Sequence, residues 1–305
     1  MRDWEGTSVL VTGASGFVGS HLVDALMDTG ARIVGLVRDY SDDHMPRGAI
    51  TVRGDLSSAA LIERTISDYS CEIVYHLAAQ AIVGVSKRNP VETFESNIRG
   101  TWNLLEACRR QSKHIRRVVV ASSDKAYGDA RPPYREDMAM MGKGPYDVSK
   151  SCCDLLAQSY LESYSLPVTV VRCGNIYGPG DPNFNRIIPG TIKAVKNGER
   201  PVIRTDGKLM RDYIYISDVV EAYLRCSEAD VDGAFNFGTG KRRKVSEVVS
   251  TILEVMGSEL KPVVLGEKTG EIQDQWLSSS KARKVLNWRP NVDFRKGIEL
   301  TCGSA

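Results

Sequence analysis

The sequence predicts an α/β fold: a doubly wound parallel sheet with a smaller C-terminal α/β lobe. Three observations carry this. Short apolar, β-branched runs alternate with helical stretches as far as about residue 175, an order that builds a parallel sheet with helices on both faces. A glycine-rich turn separates the first such run from the first helix. Beyond it the signals shorten and are broken by Pro179, Pro182, Pro189, Pro201, Pro262 and Pro290. The expected division is 1–175 and 176–305, the second lobe being interleaved with the end of the sheet.

Ser8 to Thr12 reads as a buried strand, and Gly13-Ala14-Ser15-Gly16-Phe17-Val18-Gly19 follows at once. A helix from Phe17 to Asp28 comes next, with Val18, Leu22, Ala25 and Leu26 on one stripe and Gly30 at its C-terminal cap. Strand, glycine turn and helix in this order form the Rossmann-type dinucleotide motif. The glycines let the backbone approach a pyrophosphate, and the helix N-terminus supplies N–H donors and the positive end of its dipole. Gly13, Ser15, Gly16, Phe17, Val18 and Gly19 are therefore the first expected cofactor contacts.

The second strand, Ala31 to Val37, ends at Arg38 and Asp39. Arg38 can pair with a 2′-phosphate, which favours NADP, and Asp39 can accept ribose hydroxyls, which favours NAD. Two solvated charges at a strand end are the third possibility, so the cofactor is expected to be NAD or NADP. A third strand at Ile50-Thr51-Val52 leads to Gly54-Asp55-Leu56, and Ser57 or Ser58 can cap the next helix. Asp55 and Leu56 join the expected cofactor contacts. The fourth strand, Cys71 to Leu77, runs into His76-Leu77-Ala78-Ala79-Gln80, where the small residues after Leu77 let the chain pass close to a flat cofactor. A long helix from about Val91 to Arg110, a strand from Arg117 to Ala121, a helix from Tyr146 to Tyr164 opened by Gly144-Pro145, and a strand from Pro167 to Arg172 complete the sheet. Ser122, Ser123, Asp124 and Lys125 fall at the carboxyl end of a strand, where cofactor sites lie in such sheets.

Composition excludes several classes of function. The 305 residues carry a formal net charge of +2, which argues against nucleic acid or an anionic membrane as a partner. The cluster Lys241-Arg242-Arg243-Lys244 reads as a solvated loop. No apolar run is long enough to span a bilayer, and no signal-like segment precedes the first strand. Seven cysteines and four histidines show no ligand spacing. Reduced thiols, no metal and a cytoplasmic location are expected.

Tyr146 and Lys150 lie four apart on a predicted helix and so share one face. An ammonium near a phenol favours the phenolate and lowers a pKa of ~10, giving a proton acceptor near neutral pH. Ser123 can share the proton of a substrate hydroxyl.

With these residues the chain resembles the extended short-chain dehydrogenases, in the family of nucleotide-sugar epimerases and dehydratases. The matching pieces are residues 12–19, 76–80, Asn97-Ile98-Arg99-Gly100-Thr101, 146–150, Arg172-Cys173-Gly174-Asn175-Ile176-Tyr177-Gly178-Pro179-Gly180 and Arg211-Asp212-Tyr213-Ile214-Tyr215-Ile216-Ser217-Asp218-Val219. The 4-epimerases usually carry small residues after the hydroxyl residue, and many 4,6-dehydratases carry Asp-Glu. Ser123-Asp124-Lys125, with Arg200-Pro201-Val202-Ile203-Arg204 and Gln275-Trp276-Leu277, is most similar to the CDP-glucose 4,6-dehydratase branch. The GDP-mannose 4,6-dehydratases are its neighbour.

The resemblance implies a nucleotide-diphosphate sugar as substrate and an internal redox cycle on bound NAD or NADP. Tyr146, Ser123 and Lys150 would oxidise C4, with Lys150 also contacting the nicotinamide ribose. Asp124 would be the acid at C6. Lys125 would stand at the C5 base position, which requires a neutral amine; if charged, it would stabilise the enolate. Gln80, Ser123, Asn175, Arg186 and Arg211 are the expected substrate contacts, and Asn97 holds the catalytic helix or a water, or serves as a capping amide. Apolar residues on more than one face of helices 91–110 and 146–164, including Trp102 and Leu155, need a covering partner; the resemblance implies a homodimer through those helices, the alternative being that both faces are covered within one chain. The competing readings are a 4-epimerase, which needs Tyr146 and Lys150 but neither Asp124 nor Lys125, and a sensor or scaffold that binds a dinucleotide without turnover.

Overall fold

A computed structural model of the chain describes residues 4–38, 48–268 and 270–303. The first half contains β1 (Ser8–Thr12), α1 (Phe17–Met27), β2 (Arg32–Val37), β3 (Ile50–Arg53), α2 (Ala59–Asp68), β4 (Ile73–His76), α3 (Val83–Arg88), α4 (Pro90–Phe94), α5 (Gly100–Arg110), β5 (Arg117–Ala121), α6 (Pro145–Tyr164) and β6 (Val168–Cys173). The rest contains β7 (Asn175–Tyr177), α7 (Ile187–Lys196), β8 (Val202–Ile203), β9 (Met210–Tyr215), α8 (Ile216–Glu228), β10 (Gly233–Phe237), β11 (Arg242–Lys244), α9 (Val245–Val255), β12 (Val263–Val264), β13 (Asp274–Gln275), α10 (Ser280–Val285) and α11 (Phe294–Gly303).

Seven strands form one sheet in the order β10-β6-β5-β4-β1-β2-β3. From β3 through β6 every pair is parallel. The chain winds outward from β1 to β3, returns to β4 and winds outward again to β6. The winding reverses between β1 and β4, whose register sets Thr12 opposite His76. In sheets of this kind the crevice at that reversal receives ligands. Strands covered on both faces need apolar side chains at successive positions, and Val9-Leu10-Val11 and Val118-Val119-Val120 are fully buried.

Two compact units result. The first comprises Met1–Gly128, Met138–Arg172 and Val220–Phe235, and the second Asp129–Asp137, Cys173–Val219 and Asn236–Ala305. The second has its own sheet, β11-β9-β13 with β7 also on β9, and a small cluster of Ile203, Val249 and Leu253.

The structure revises three details. The single helix expected from Val91 to Arg110 is interrupted by a π-helical turn, Glu95–Arg99. Such turns are frequent at functional positions, and this one carries the buried Asn97. Residues 83–88 form a helix too short to show a period in the sequence. The basic cluster expected to be a solvated loop is strand β11, antiparallel to β9. Arg242 pairs with Asp274, and Arg243 lies over the Phe294 ring, 4.5 Å from its centroid. Among the described residues no helix is long and apolar enough to cross a membrane, and all seven cysteines are free thiols.

Candidate active site

The glycine turn is dictated by contacts a side chain would destroy. Gly13 has φ +70°, and a Cβ there would lie 2.8 Å from the Ala78 nitrogen. A Cβ on Gly19 would lie 2.0 Å from the Gly13 oxygen, so helix α1 packs directly on the turn. Gly16 caps α1 without a side-chain bond, leaving the first amides of the helix open. Such a turn can hold a pyrophosphate through backbone donors and the helix dipole. At the end of β2, Val37 is buried and Arg38 exposed, while Asp39 lies outside the described residues. Asp55 accepts from the Ser57 amide at 2.7 Å. That bond and, more weakly, the Arg38 cation hold its carboxyl below the ordinary range despite partial burial. Leu56 is buried, and its carbonyl accepts from Asn103 Nδ2 at 2.8 Å.

A buried network ties the ends of β1 and β4 to the helices behind them. His76 Nδ1 lies 2.9 Å from Thr12 Oγ1, and Nε2 lies 2.9 Å from Thr101 Oγ1. Thr101 Oγ1 donates to the Asn97 carbonyl at 2.6 Å, so it accepts from Nε2–H. Nδ1 is then the acceptor of the Thr12 hydroxyl proton, and Thr12 Oγ1 accepts in turn from the Ala78 amide at 3.2 Å. Burial, reinforced by the Lys150 charge, pushes the imidazole down to about 3. Asn97 is committed on three sides. Its Oδ1 accepts from the Gln80 amide at 2.7 Å, and its Nδ2 donates to the Gln80 carbonyl and to Ser149 Oγ at 3.1 and 2.8 Å. Ser149 Oγ donates to the Tyr146 carbonyl at 2.7 Å. Asn97 thus grips the first turn of α6. The Gln80 side chain accepts from the Ile82 amide at 2.9 Å.

Tyr146 and Lys150 occupy one face of α6. Lys150 is buried, its Nζ donates to the Ala121 carbonyl at the end of β5 at 2.8 Å, and burial lowers its pKa against the opposing Cys153 and Asp154. Ser123 begins a 3-10 turn, Asp124–Tyr127, and its Oγ accepts from the Lys125 amide and donates to Asp124 Oδ1, both at 3.2 Å. Asp124 is buried. Asp147 stands next to Tyr146 on α6. Burial raises its carboxyl, Lys125 and Lys87 oppose the rise, and Asp124 adds to it. The acid–lysine turn and the tyrosine helix are joined where Ser151 Oγ donates to the Ala126 carbonyl at 3.1 Å. Asp147, whose carboxyl responds to both Asp124 and Lys125, is not among the site residues predicted from the sequence. Its position within the Tyr-x-x-x-Lys segment was the available signal. Ser122 Oγ is buried at the end of β5 with no hydrogen-bond partner among the described residues.

In the second unit, Asn175 Nδ2 donates to the Asp212 carbonyl at 3.2 Å. Arg211 is buried, and its guanidinium donates to the Met210 and Ile272 carbonyls at 2.9 and 2.8 Å and pairs with Glu271 at 3.2 Å. Arg186 is half-buried and pairs with Asp181 at 3.0 Å. Asp212, which the sequence reading quoted only within a motif, accepts from the Thr239 and Gly240 amides at 3.0 and 2.9 Å. It fixes the Gly238-Thr239-Gly240 loop, while burial raises its carboxyl against these bonds. Among the described residues no group of three or more His, Cys, Asp or Glu is placed to hold a metal.

Comparison with known proteins shows the family and the fold. Residues 9–238 match the family described as "NAD dependent epimerase/dehydratase family". A trifunctional UDP-glucose 4,6-dehydratase/UDP-4-keto-6-deoxy-D-glucose 3,5-epimerase/UDP-4-keto-L-rhamnose-reductase of Arabidopsis thaliana is 30% identical over 99% of this chain and 47% of its own length. The chain thus spans about half the length of that curated relative. The CDP-glucose 4,6-dehydratase of Salmonella typhimurium is 30% identical over 98% of this chain and 89% of its own. Among solved structures, the UDP-glucose 4-epimerase of Thermotoga maritima, crystallised with UDP-glucose, is 30% identical and superposes with a TM-score of 0.93, covering 98% of each chain.

Proposed function

The chain belongs to the NAD dependent epimerase/dehydratase family, and on that premise we propose that it is a nucleotide-sugar 4,6-dehydratase, a hydro-lyase that converts an NDP-hexose to an NDP-4-keto-6-deoxyhexose. The observation that carries the proposal is the buried Asp124 beside Lys125, in the turn that directly follows Ser123 and is bonded to α6 through Ser151. A 4-epimerase has no use for an acid and an amine there.

NAD is the cofactor named in the family's description, and when bound it supplies a hydride acceptor for C4 and a donor for C6. Gly13, Ser15, Gly16, Phe17, Val18 and Gly19 are assigned to its pyrophosphate, Arg38, Asp39, Asp55 and Leu56 to its adenosine side, and Leu77, Ala78 and Ala79 to its flat flank. Tyr146 takes the proton of the sugar 4-hydroxyl, Ser123 shares that hydrogen bond, and Lys150 stabilises the tyrosyl charge. The ketone at C4 acidifies C5–H. Lys125 receives the C5 proton and returns it to C5 when hydride is delivered to C6, while Asp124 protonates the departing C6 hydroxyl, so the net change is loss of one water. Gln80 is assigned to the sugar, Asn175, Arg186 and Arg211 to the nucleotide diphosphate.

The protein is proposed to act in the cytoplasm as a homodimer through residues 91–110 and 146–164. Val91, Trp102, Leu155 and Tyr164 stand exposed on these helices, a surface that a second copy would cover.

The runner-up is a 4-epimerase, favoured by the close likeness to the Thermotoga maritima fold. Purified protein incubated separately with CDP-, GDP-, UDP- and dTDP-hexoses decides between the two. Mass loss of ~18 Da, one water released through the acid at Asp124, identifies both reaction and nucleotide; a mass-neutral product would sink the dehydratase reading. Asp124→Asn should reduce water loss by about 10²-fold or more, whereas an epimerase would keep nearly full turnover.

A further inference from the structure

We propose that Tyr127, Arg172 and Asp154 form a buried positioning clamp that holds the Ser123–Lys125 turn at a fixed separation from helix α6. The inference rests on the function proposed above: the turn carries the elimination groups, and the helix carries the oxidation groups. The three residues come from three elements and are all but inaccessible to solvent. Arg172, next to the last residue of β6, has 1% of its surface exposed, and Asp154, one helical turn beyond Lys150 on α6, has none. Arg172 Nε and Nη2 donate to Asp154 Oδ2 and Oδ1 at 2.7 and 2.8 Å. Its Nη1 donates to Tyr127 Oη at 2.6 Å, and the guanidinium lies over the Tyr127 ring, 5.0 Å from its centroid.

The geometry explains why an arginine serves here. A guanidinium is planar and its donors diverge at fixed angles. Two of its nitrogens are registered on an α6 carboxylate, so the third can meet only one position of the Tyr127 oxygen. Tyr127 is the last residue of the turn that begins at Asp124. A second tie acts in the same direction: the Ala126 carbonyl accepts from Ser151 Oγ on α6 at 3.1 Å and from the Met141 amide at 2.9 Å. The chain then leaves through Gly128 at φ +58°, where a Cβ would lie 1.9 Å from the Met141 oxygen.

A buried ion pair is a poor source of net stability beside an apolar filling of equal volume. Gln158 Nε2 adds a further bond to Asp154 Oδ1 at 2.6 Å, so the group is fully satisfied and rigid. Its use is therefore geometric. A displacement of about 1 Å at a reacting group can cost about 10²-fold in rate.

Tyr127→Phe keeps the ring and removes the hydroxyl that accepts from Arg172 Nη1. Amide hydrogen exchange, followed in peptides covering 122–128 and 145–164, should show the turn exchanging about tenfold faster while α6 is unchanged, since Arg172 and Asp154 still hold each other. With the sugar nucleotide that the wild type dehydrates, kcat should fall by about 10- to 100-fold while KM stays within about twofold. Arg172→Lys, which keeps the charge and loses the fork, should reproduce the same split. Tyr75→Phe, which deletes a comparably buried hydroxyl bond to Ser227, is the matched control for simple loss of stability. Unchanged exchange in the turn, or exchange rising equally in turn and helix, would overturn the clamp. If the wild type releases water from no nucleotide hexose, the dehydratase reading fails alone, because the exchange experiment needs no turnover and still decides whether the clamp holds the turn.

Discussion

Acidification should destabilise this protein through His76 in a window where few carboxylates act. The imidazole is fully enclosed, both nitrogens are engaged by threonine hydroxyls, and Lys150 stands nearby. Its folded value of about 3 lies below the ordinary imidazole value of 6.5. Between those values the unfolded chain binds the extra proton, so stability falls as pH drops through about 6.5 and levels off only below about 3. The full difference corresponds to about 5 kcal/mol at ~1.4 kcal/mol per unit, an upper bound that local opening would reduce. Between about pH 7.5 and 5 the same relation gives about 2 kcal/mol. Asp55, Asp137 and Glu106 have lowered folded values and weaken the protein only further into acid. The raised carboxyls of Asp147 and Asp212 act with the opposite sign. Subtracting a variant removes all of these. Urea unfolding of the wild type and of His76→Gln, measured at intervals from about pH 7.5 to 5, should give curves that converge by about 2 kcal/mol, with the wild type losing more. Two curves that stay parallel would refute the reasoning and place the imidazole's folded value close to its unfolded one.

Gly19→Ala drives a Cβ to within 2.0 Å of the Gly13 oxygen. It should lower stability by about 1–3 kcal/mol and weaken NAD binding, measured by calorimetry, by about tenfold or more as the turn is forced open. Asp154→Ala leaves the Arg172 charge buried without its carboxylate, which should cost about 3–5 kcal/mol in chemical denaturation. Adding Arg172→Met should recover much of that loss, because the unpaired charge rather than the lost contact is responsible.

The sheet was legible because its strands are buried on both faces and their apolar runs admit few other readings. The glycine turn was legible because each glycine there answers a steric demand. The Tyr146–Lys150 face follows from helical spacing alone. The π turn at Glu95–Arg99 was not legible: its residues carry an ordinary helical pattern, and only the burial of Asn97 against Gln80 and Ser149 justifies the extra residue. The clamp was hidden for a related reason. Asp154 and Arg172 are 18 residues apart on different elements, and a charged residue in isolation reads as a surface residue until the fold buries it. Asp212 was quoted within a motif, yet its work of holding the Gly238–Gly240 loop depends on a strand register that no local pattern contains.

The likeness to dehydratases and to epimerases at about the same identity has a physical origin. On the function proposed above, both activities would begin by removing a proton and a hydride from C4, and the residues assigned to that step belong to a shared frame: the glycine turn and the α6 face. A frame that performs a shared step is retained whichever product follows, so overall similarity weighs both outcomes alike. Their difference must lie in groups that act after C4 is a ketone. In the function proposed above those groups are Asp124 and Lys125 in one 3-10 turn, joined to α6 through Arg172 and through Ser151. An epimerase must let the sugar turn over between two hydride transfers at the same carbon, and on the reading proposed above a turn tied to α6 opposes that. A dehydratase needs the ring held still while C5 and C6 react, and a buried carboxyl on a clamped turn is what that step requires.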